Sequence, residues 1–206
     1  ADHVEMIWNL PNILTTLRLL AAPMVAVMFL FFPRFYADWF ALVLFVSAAV
    51  TDWFDGYLAR AWKQQTKLGA MLDPIADKAM VVIALMVIIG FSSWKASLVL
   101  PATMILFREV FVSGLREYLG DVAGTLAVTK LAKWKTTLQM IAIAVLFSQG
   151  VFEHYSVSAG GLGWKLLLAE WSGFIGLWLL WVAAALTLIT GWDYFRKALP
   201  HLKETV

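Results

Sequence analysis

The chain is 206 residues long, 62% apolar and 15% charged, with a formal net charge of +2 and no cysteine. An ordinary soluble domain is about 45–50% apolar and about 25% charged, so the balance points to a membrane protein. The small net charge argues against nucleic acid as a partner, and the missing thiols exclude disulfides, thiolate metal ligands and cysteine nucleophiles.

A spanning helix needs about 20 mainly apolar residues, and six stretches meet that need. Residues around Trp8 read as a short segment lying in the interface. Met6 reads as a natural start, which makes residues 1–5 an appended remnant, and no cleavable signal pattern follows. The first span covers about 10–32, with Pro11 near its start and Pro23 inside it. The second covers about 39–62 and carries Asp52 and Asp55 in its second half, and the third covers about 67–91 and carries Asp73 and Asp77. The fourth, about 98–118, contains Arg108, Glu109 and Arg116. The fifth covers about 133–152 and the sixth about 171–194, and Gly160-Gly161-Leu162-Gly163 marks a flexible loop between them. No repeat and no β-barrel alternation is present. The expected architecture is all-α, a six-helix transmembrane bundle forming one domain over residues 1–206.

The basic residues orient this bundle. With an even number of spans both termini share a side, which then collects Arg60, Lys63, Lys67, Arg116, Lys130, Lys133, Lys135, Arg196, Lys197 and Lys203. The other side keeps Arg34, Lys95 and Lys165. The positive-inside rule therefore places both termini in the cytoplasm, and Trp and Tyr residues near the span ends suit an interfacial belt.

Residues three, four and seven apart share a helix face. Asp52, Asp55, Gly56 and Ala59 line one face of the second span, and Gly69, Asp73 and Asp77 one face of the third. The short link between these spans predicts antiparallel neighbours with four carboxylates at one depth. Acids inside a membrane segment are costly, and these lack enough nearby cations to pair individually, so a purely structural role is disfavoured. All-oxygen donors favour Mg²⁺, Mn²⁺ or Ca²⁺. Two divalent ions would balance four charges, and metal pairs about 4 Å apart recur in phosphoryl chemistry. Gly56, Ala59 and Gly69 would clear room for a bulky group, with Arg60, Lys63 and Lys67 at the rim suited to phosphate. The plainer reading of the same small residues is close helix packing, and of the basic ones, contact with the cytosol.

The pattern Asp52-x2-Asp55-Gly56-x2-Ala59-Arg60-x8-Gly69-x3-Asp73-x3-Asp77 resembles, without departure, the signature of the CDP-alcohol phosphotransferases. Asn9-Leu-Pro-Asn-Ile-Leu-Thr-Thr-Leu-Arg18, Leu72-Asp-Pro-Ile-Ala-Asp-Lys78, Arg108-Glu-Val-Phe-Val-Ser-Gly-Leu-Arg-Glu117 and Lys133-Trp-Lys-Thr-Thr-Leu-Gln139 look like segments of the phosphatidylglycerophosphate synthases within that family. The resemblance covers most of the chain, and the last fifty or so residues carry little that is diagnostic.

The resemblance implies a dimeric, six-helix enzyme of the bacterial inner membrane, with its active site on the cytoplasmic side. It would transfer the phosphatidyl group of CDP-diacylglycerol to sn-glycerol 3-phosphate and release CMP. Asp52, Asp55, Asp73 and Asp77 would hold two divalent ions, Mg²⁺ first and Mn²⁺ second, with Asp77 also the general base. Gly56, Ala59, Arg60, Thr66 and Gly69 would contact the donor, with Asn12 and Thr15 nearby. The acceptor phosphate needs cations, for which Arg108, Arg116, Lys130, Lys133 and Lys135 are the candidates. Against this, Arg108 could pair with Glu109, Glu117 or the metal-site acids, and positive-inside topology alone would account for the three lysines. Lys78 is left unassigned. His3, His154 and His201 lie outside the predicted spans and read as surface positions. Two rival functions remain: a cardiolipin synthase using phosphatidylglycerol as acceptor, and a divalent-cation or proton transporter built on the same acids.

Overall fold

The structure is a computed structural model and describes residues 10–62, 66–126, 130–158, 160 and 163–203, with only the backbone described at positions 52, 55, 56 and 58–62. Six helices, α1 (Leu10–Phe31), α2 (Arg34–Trp62), α3 (Lys67–Phe91), α4 (Ala96–Leu119), α5 (Lys130–Ser158) and α6 (Gly163–Leu202), are each long and apolar enough to cross a membrane. The described residues form no strand. The protein is an all-α integral membrane bundle. The segment around Trp8 and residues 1–5 lie outside the described residues.

Local chemistry sets the helix ends. Pro33 ends the link after α1, and its carbonyl accepts the first turn's amides of Tyr36 and Ala37, so α2 begins earlier than its hydrophobicity predicts. Thr66 caps α3, its Oγ1 accepting the Gly69 amide at 3.1 Å, which satisfies one of the orphan donors of a helix start. At the other end of α3, Ser93 and Trp94 take left-handed φ values of 54° and 57° to turn tightly into α4. Gly120, at φ 55°, closes α4 and opens a short 3-10 turn over Gly120–Thr125. Helices α5 and α6 extend well beyond the predicted spans. At 1.5 Å per residue the 40 residues of α6 exceed the thickness of the hydrocarbon layer, so its ends reach the interfaces.

In lipid there is no hydrophobic force between helices, so contacts depend on close packing and polar pairs. Small residues permit that approach: Ala22, Ala41, Ala84, Ala102, Ala142 and Ala184 are fully buried or nearly so, around Phe45, Met80, Leu85, Ile105, Met140 and Ile143. Gly176 of α6 meets Leu146 of α5 so closely that an added Cβ would stand 2.9 Å from Leu146 Cγ. Large apolar side chains such as Leu20, Phe107, Val110 and Trp178 face outward, as a lipid-facing surface requires.

Helix α5 packs chiefly on α6 and α2, α4 on α6, and α1 on both α3 and α2. The principal partner of α3 is therefore α1. The expected pairing of the second half of α2 with the start of α3 lies largely outside the described residues, since of positions 52–62 only 53, 54 and 57 have described side chains. Polar residues of α1 hold it along the acidic face of α3.

Candidate active site at the α1–α3 seam

The buried face of α1 is Asn12, Thr15, Arg18, Ala22 and Val25, a stripe at helical spacing whose first three members are polar. Each of those three reaches α3. Asn12 Nδ2 donates to Thr66 Oγ1 at 2.9 Å, at the very start of α3. Gly69 makes that contact possible, since a Cβ there would stand 2.6 Å from Asn12 Oδ1. One turn on, Thr15 Oγ1 donates to Asp73 Oδ1 at 2.6 Å, closer than its alternative acceptor, the Pro11 carbonyl, at 3.0 Å. A further turn on, Arg18 Nη1 donates to Asp77 Oδ1 at 3.4 Å, while Nη2 reaches Thr15 Oγ1 at 3.3 Å and Asp73 Oδ1 at 3.9 Å.

The seam thus joins Asn12, Thr15, Thr66, Gly69, Asp73 and Asp77, which the sequence assigned to one site. It adds Arg18, which the sequence reading passed over. Arg18 has a side chain only 7% exposed, and it supplies a compensating cation to Asp73 and Asp77 where none was expected. Its spacing from Thr15 was the available signal, because i and i+3 share a face. Asp73 is half open at 52% side-chain exposure and Asp77, a turn deeper, is recessed at 19%. The side chains of Asp52, Asp55, Gly56, Ala59 and Arg60 lie outside the described residues, and among the described residues no group of three or more metal-binding side chains assembles.

Asp73 and Asp77 are hard oxygen donors, one turn apart on one face, with Asp73 accessible and held by a hydroxyl. That donor set fits a Mg²⁺ or Mn²⁺ ion and is wrong for a soft metal.

A second polar cluster sits where α3, α4 and α5 meet. Glu109 is buried, its Oε1 accepting from Lys135 Nζ at 2.8 Å and from Arg108 Nη1 at 3.3 Å, with Lys78 Nζ 4.0 Å from Oε2. Lys78 also donates to Ser113 of α4. Three cations surround one carboxylate, so the cluster carries an excess of positive charge. Arg108 Nε is buried and has no hydrogen-bond partner among the described residues. Gly191 of α6 gives Arg108 its room, because a Cβ there would stand 2.8 Å from Arg108 Cγ. Arg108 and Lys135 of the predicted acceptor set therefore converge, and Lys78 and Glu109 join them. The other three do not: Arg116 is exposed, its guanidinium 5.1 Å from the Tyr194 ring centroid, and Lys130 and Lys133 are exposed on the first turn of α5. Lys130 and Lys133, three apart, share an exposed face, and Lys135, two residues further on, points to the opposite, buried side, so the three do not act as one group.

Neither described histidine takes part in either cluster. His154 lies within α5, exposed, with its ring 4.2 Å from that of Phe35; His201 is exposed near the end of α6; His3 lies outside the described residues.

Known proteins share this sequence. The profile of the CDP-alcohol phosphatidyltransferase family matches residues 8–189. A protein of Cereibacter sphaeroides described as CDP-diacylglycerol–glycerol-3-phosphate 3-phosphatidyltransferase is 60% identical, over 97% of this chain and 99% of its own length. Proteins of the same description from Shigella flexneri serotype 5b and Escherichia coli K12 are each 36% identical, over 97% of this chain and all of their own length.

Proposed function

This chain belongs to the CDP-alcohol phosphatidyltransferase family, and on that premise we propose that it transfers the phosphatidyl group of CDP-diacylglycerol to sn-glycerol 3-phosphate, forming phosphatidylglycerophosphate and CMP. The observation that carries this reading is the 60% identity, over nearly the whole of both chains, to a relative described by that activity. The pairing of Thr15 and Arg18 with Asp73 and Asp77 supports it, since it builds an acidic, oxygen-rich site at a helix seam.

The acceptor's primary hydroxyl attacks the lipid-side phosphorus of the diphosphate. A new O–P bond forms as the bond to CMP breaks, and CMP leaves with its electron pair. The hydroxyl proton passes to Asp77, since an alcohol is too weak a nucleophile at neutral pH without a base within hydrogen-bond reach. Arg18, which donates to Thr15 and Asp77, holds the Asp77 carboxylate in place. Asp73 and Asp77, together with Asp52 and Asp55, would hold two divalent ions, Mg²⁺ before Mn²⁺, which when bound neutralise the diphosphate and the charge growing on the leaving oxygen. Asn12, Thr15, Thr66 and Gly69 would contact the cytidine diphosphate of the donor, together with Gly56, Ala59 and Arg60 of the family signature. Arg108, Lys135 and Lys78, offset by a single Glu109, suit the acceptor's phosphate dianion. Lipid tails can stay in the bilayer while the head group enters from the cytoplasmic interface. We place the protein in a bacterial inner membrane, both termini in the cytoplasm, as a homodimer.

The test is a product assay on purified protein with CDP-diacylglycerol and each acceptor in turn. Phosphatidylglycerophosphate and CMP are expected from glycerol 3-phosphate. Use of phosphatidylglycerol alone would instead make the chain a cardiolipin synthase, and ion movement in liposomes lacking CDP-diacylglycerol would make it a transporter.

A further inference from the structure

At the end of the bundle opposite Asp73 and Asp77, the helices part around a cavity of about 440 Å³. Arg34 and Asp38 of α2 stand in its wall. Asp38 is fully buried, and both its oxygens accept from Arg34 Nε, at 3.2 and 3.1 Å. Gly150 of α5 makes space for this pair, since a Cβ there would stand 2.6 Å from Asp38 Cγ. The guanidinium also lies 4.4 Å from the Phe91 ring centroid and 5.4 Å from that of Phe29. Held by a carboxylate and two rings, the group is fixed in place, yet its side chain remains 52% exposed. Its two terminal nitrogens have no partner among the described residues. A planar guanidinium with its fork left over is a preformed receptor for a phosphate oxygen pair.

Three further polar side chains of the lining are also without partners among the described residues. Gln149 is pressed on Gly173, where a Cβ would stand 2.6 Å from its Nε2, and its amide has no hydrogen-bond partner among the described residues. Lys95 and Glu153 also line the cavity, exposed and without an ion pair among the described residues. Arg34 and Asp38 cancel, so the site presents one further cation and one further anion. Phe91 and Phe174, exposed on the lipid-facing surface, complete the wall with apolar area.

We propose that this cavity binds the head group of a zwitterionic phospholipid from the leaflet opposite the active site, its phosphate on Arg34 and Lys95 and its ammonium on Glu153. A neutral set of separated charges beside an apolar wall matches a phosphate–ammonium head group on acyl chains. It matches neither a free anion nor an anionic lipid as well, because neither brings a cation to answer Glu153.

Native mass spectrometry and thermal unfolding of the delipidated full chain in detergent test this without reading catalysis. Phosphatidylethanolamine, phosphatidylglycerol, diacylglycerol and inorganic phosphate are added separately. Phosphatidylethanolamine should be retained and should raise the unfolding midpoint most. Lys95→Gln should weaken that binding on the order of tenfold, as should the double variant Arg34→Gln with Asp38→Asn, which removes the buried pair as a unit rather than orphaning Asp38. Unchanged binding in both variants overturns the site. Equal stabilisation by inorganic phosphate overturns the lipid as its source, and preference for phosphatidylglycerol overturns the zwitterionic assignment.

Discussion

Arg18 couples three residues of the acidic seam through one guanidinium. Replacing it with Met keeps most of the side-chain volume and removes the charge. The loss of charged hydrogen bonds should cost about 1–3 kcal/mol in thermal unfolding. CMP release should fall more steeply than stability, since Asp77 loses the group that orients it, and Arg18→Lys should recover part of the rate. Asp77→Asn should lower CMP release by about 10²–10⁴-fold, the usual worth of a positioned base. Glu109→Gln leaves Lys135, Arg108 and Lys78 facing one another in a buried space. Orphaning buried charges in this way costs about 3–5 kcal/mol, and the KM for glycerol 3-phosphate should rise while that for CDP-diacylglycerol stays level. The Arg108–Glu109 pair was legible as one of the alternatives offered for Arg108, because both lie on one helix, whereas Arg18 with Asp77 and Lys135 with Glu109 were not, because those partners lie on other helices.

Helix contacts depend on glycines that sequence reading treats as interchangeable packing. Gly69 does have a packing role, but its neighbour is Asn12 of α1. Gly69→Ala should force α1 and α3 apart or turn Asn12 away from Thr66. A destabilisation of about 1–3 kcal/mol is expected from such overpacking, read by thermal unfolding in detergent. The helices themselves were legible from hydrophobic length, and Thr66 from its place before an apolar run. The α1–α3 pairing was not, because a short link between α2 and α3 constrains only where their ends lie. Three polar residues on α1 needing partners, and three on α3 offering them, hold the two together.

Across the whole bundle, the proposed divalent-ion site at one end gives a direct test. Chelation should abolish CMP release and added Mg²⁺ restore it, while far-ultraviolet circular dichroism stays unchanged, because six apolar helices do not need metal to form. The absence of cysteine makes topology directly measurable. A Lys95→Cys variant should react with a membrane-impermeant thiol reagent from outside intact cells, whereas Lys203→Cys should react only after permeabilisation. The reverse pattern would invert the orientation drawn from the basic residues.

The amino-acid sequence by itself determined six spans, their helical character and the acidic motif, because hydrophobic length and i, i+4 spacing are properties of one segment at a time. It also carried the family, through residues at fixed spacing. Only the tertiary structure decided that α1 lies along the acidic face of α3, that Arg18 answers Asp77, and that Arg108 and Lys135 converge on Glu109 while Lys130 and Lys133 turn outward. A buried charge must find its partner wherever the fold brings one, and in a membrane bundle that partner usually lies on another helix.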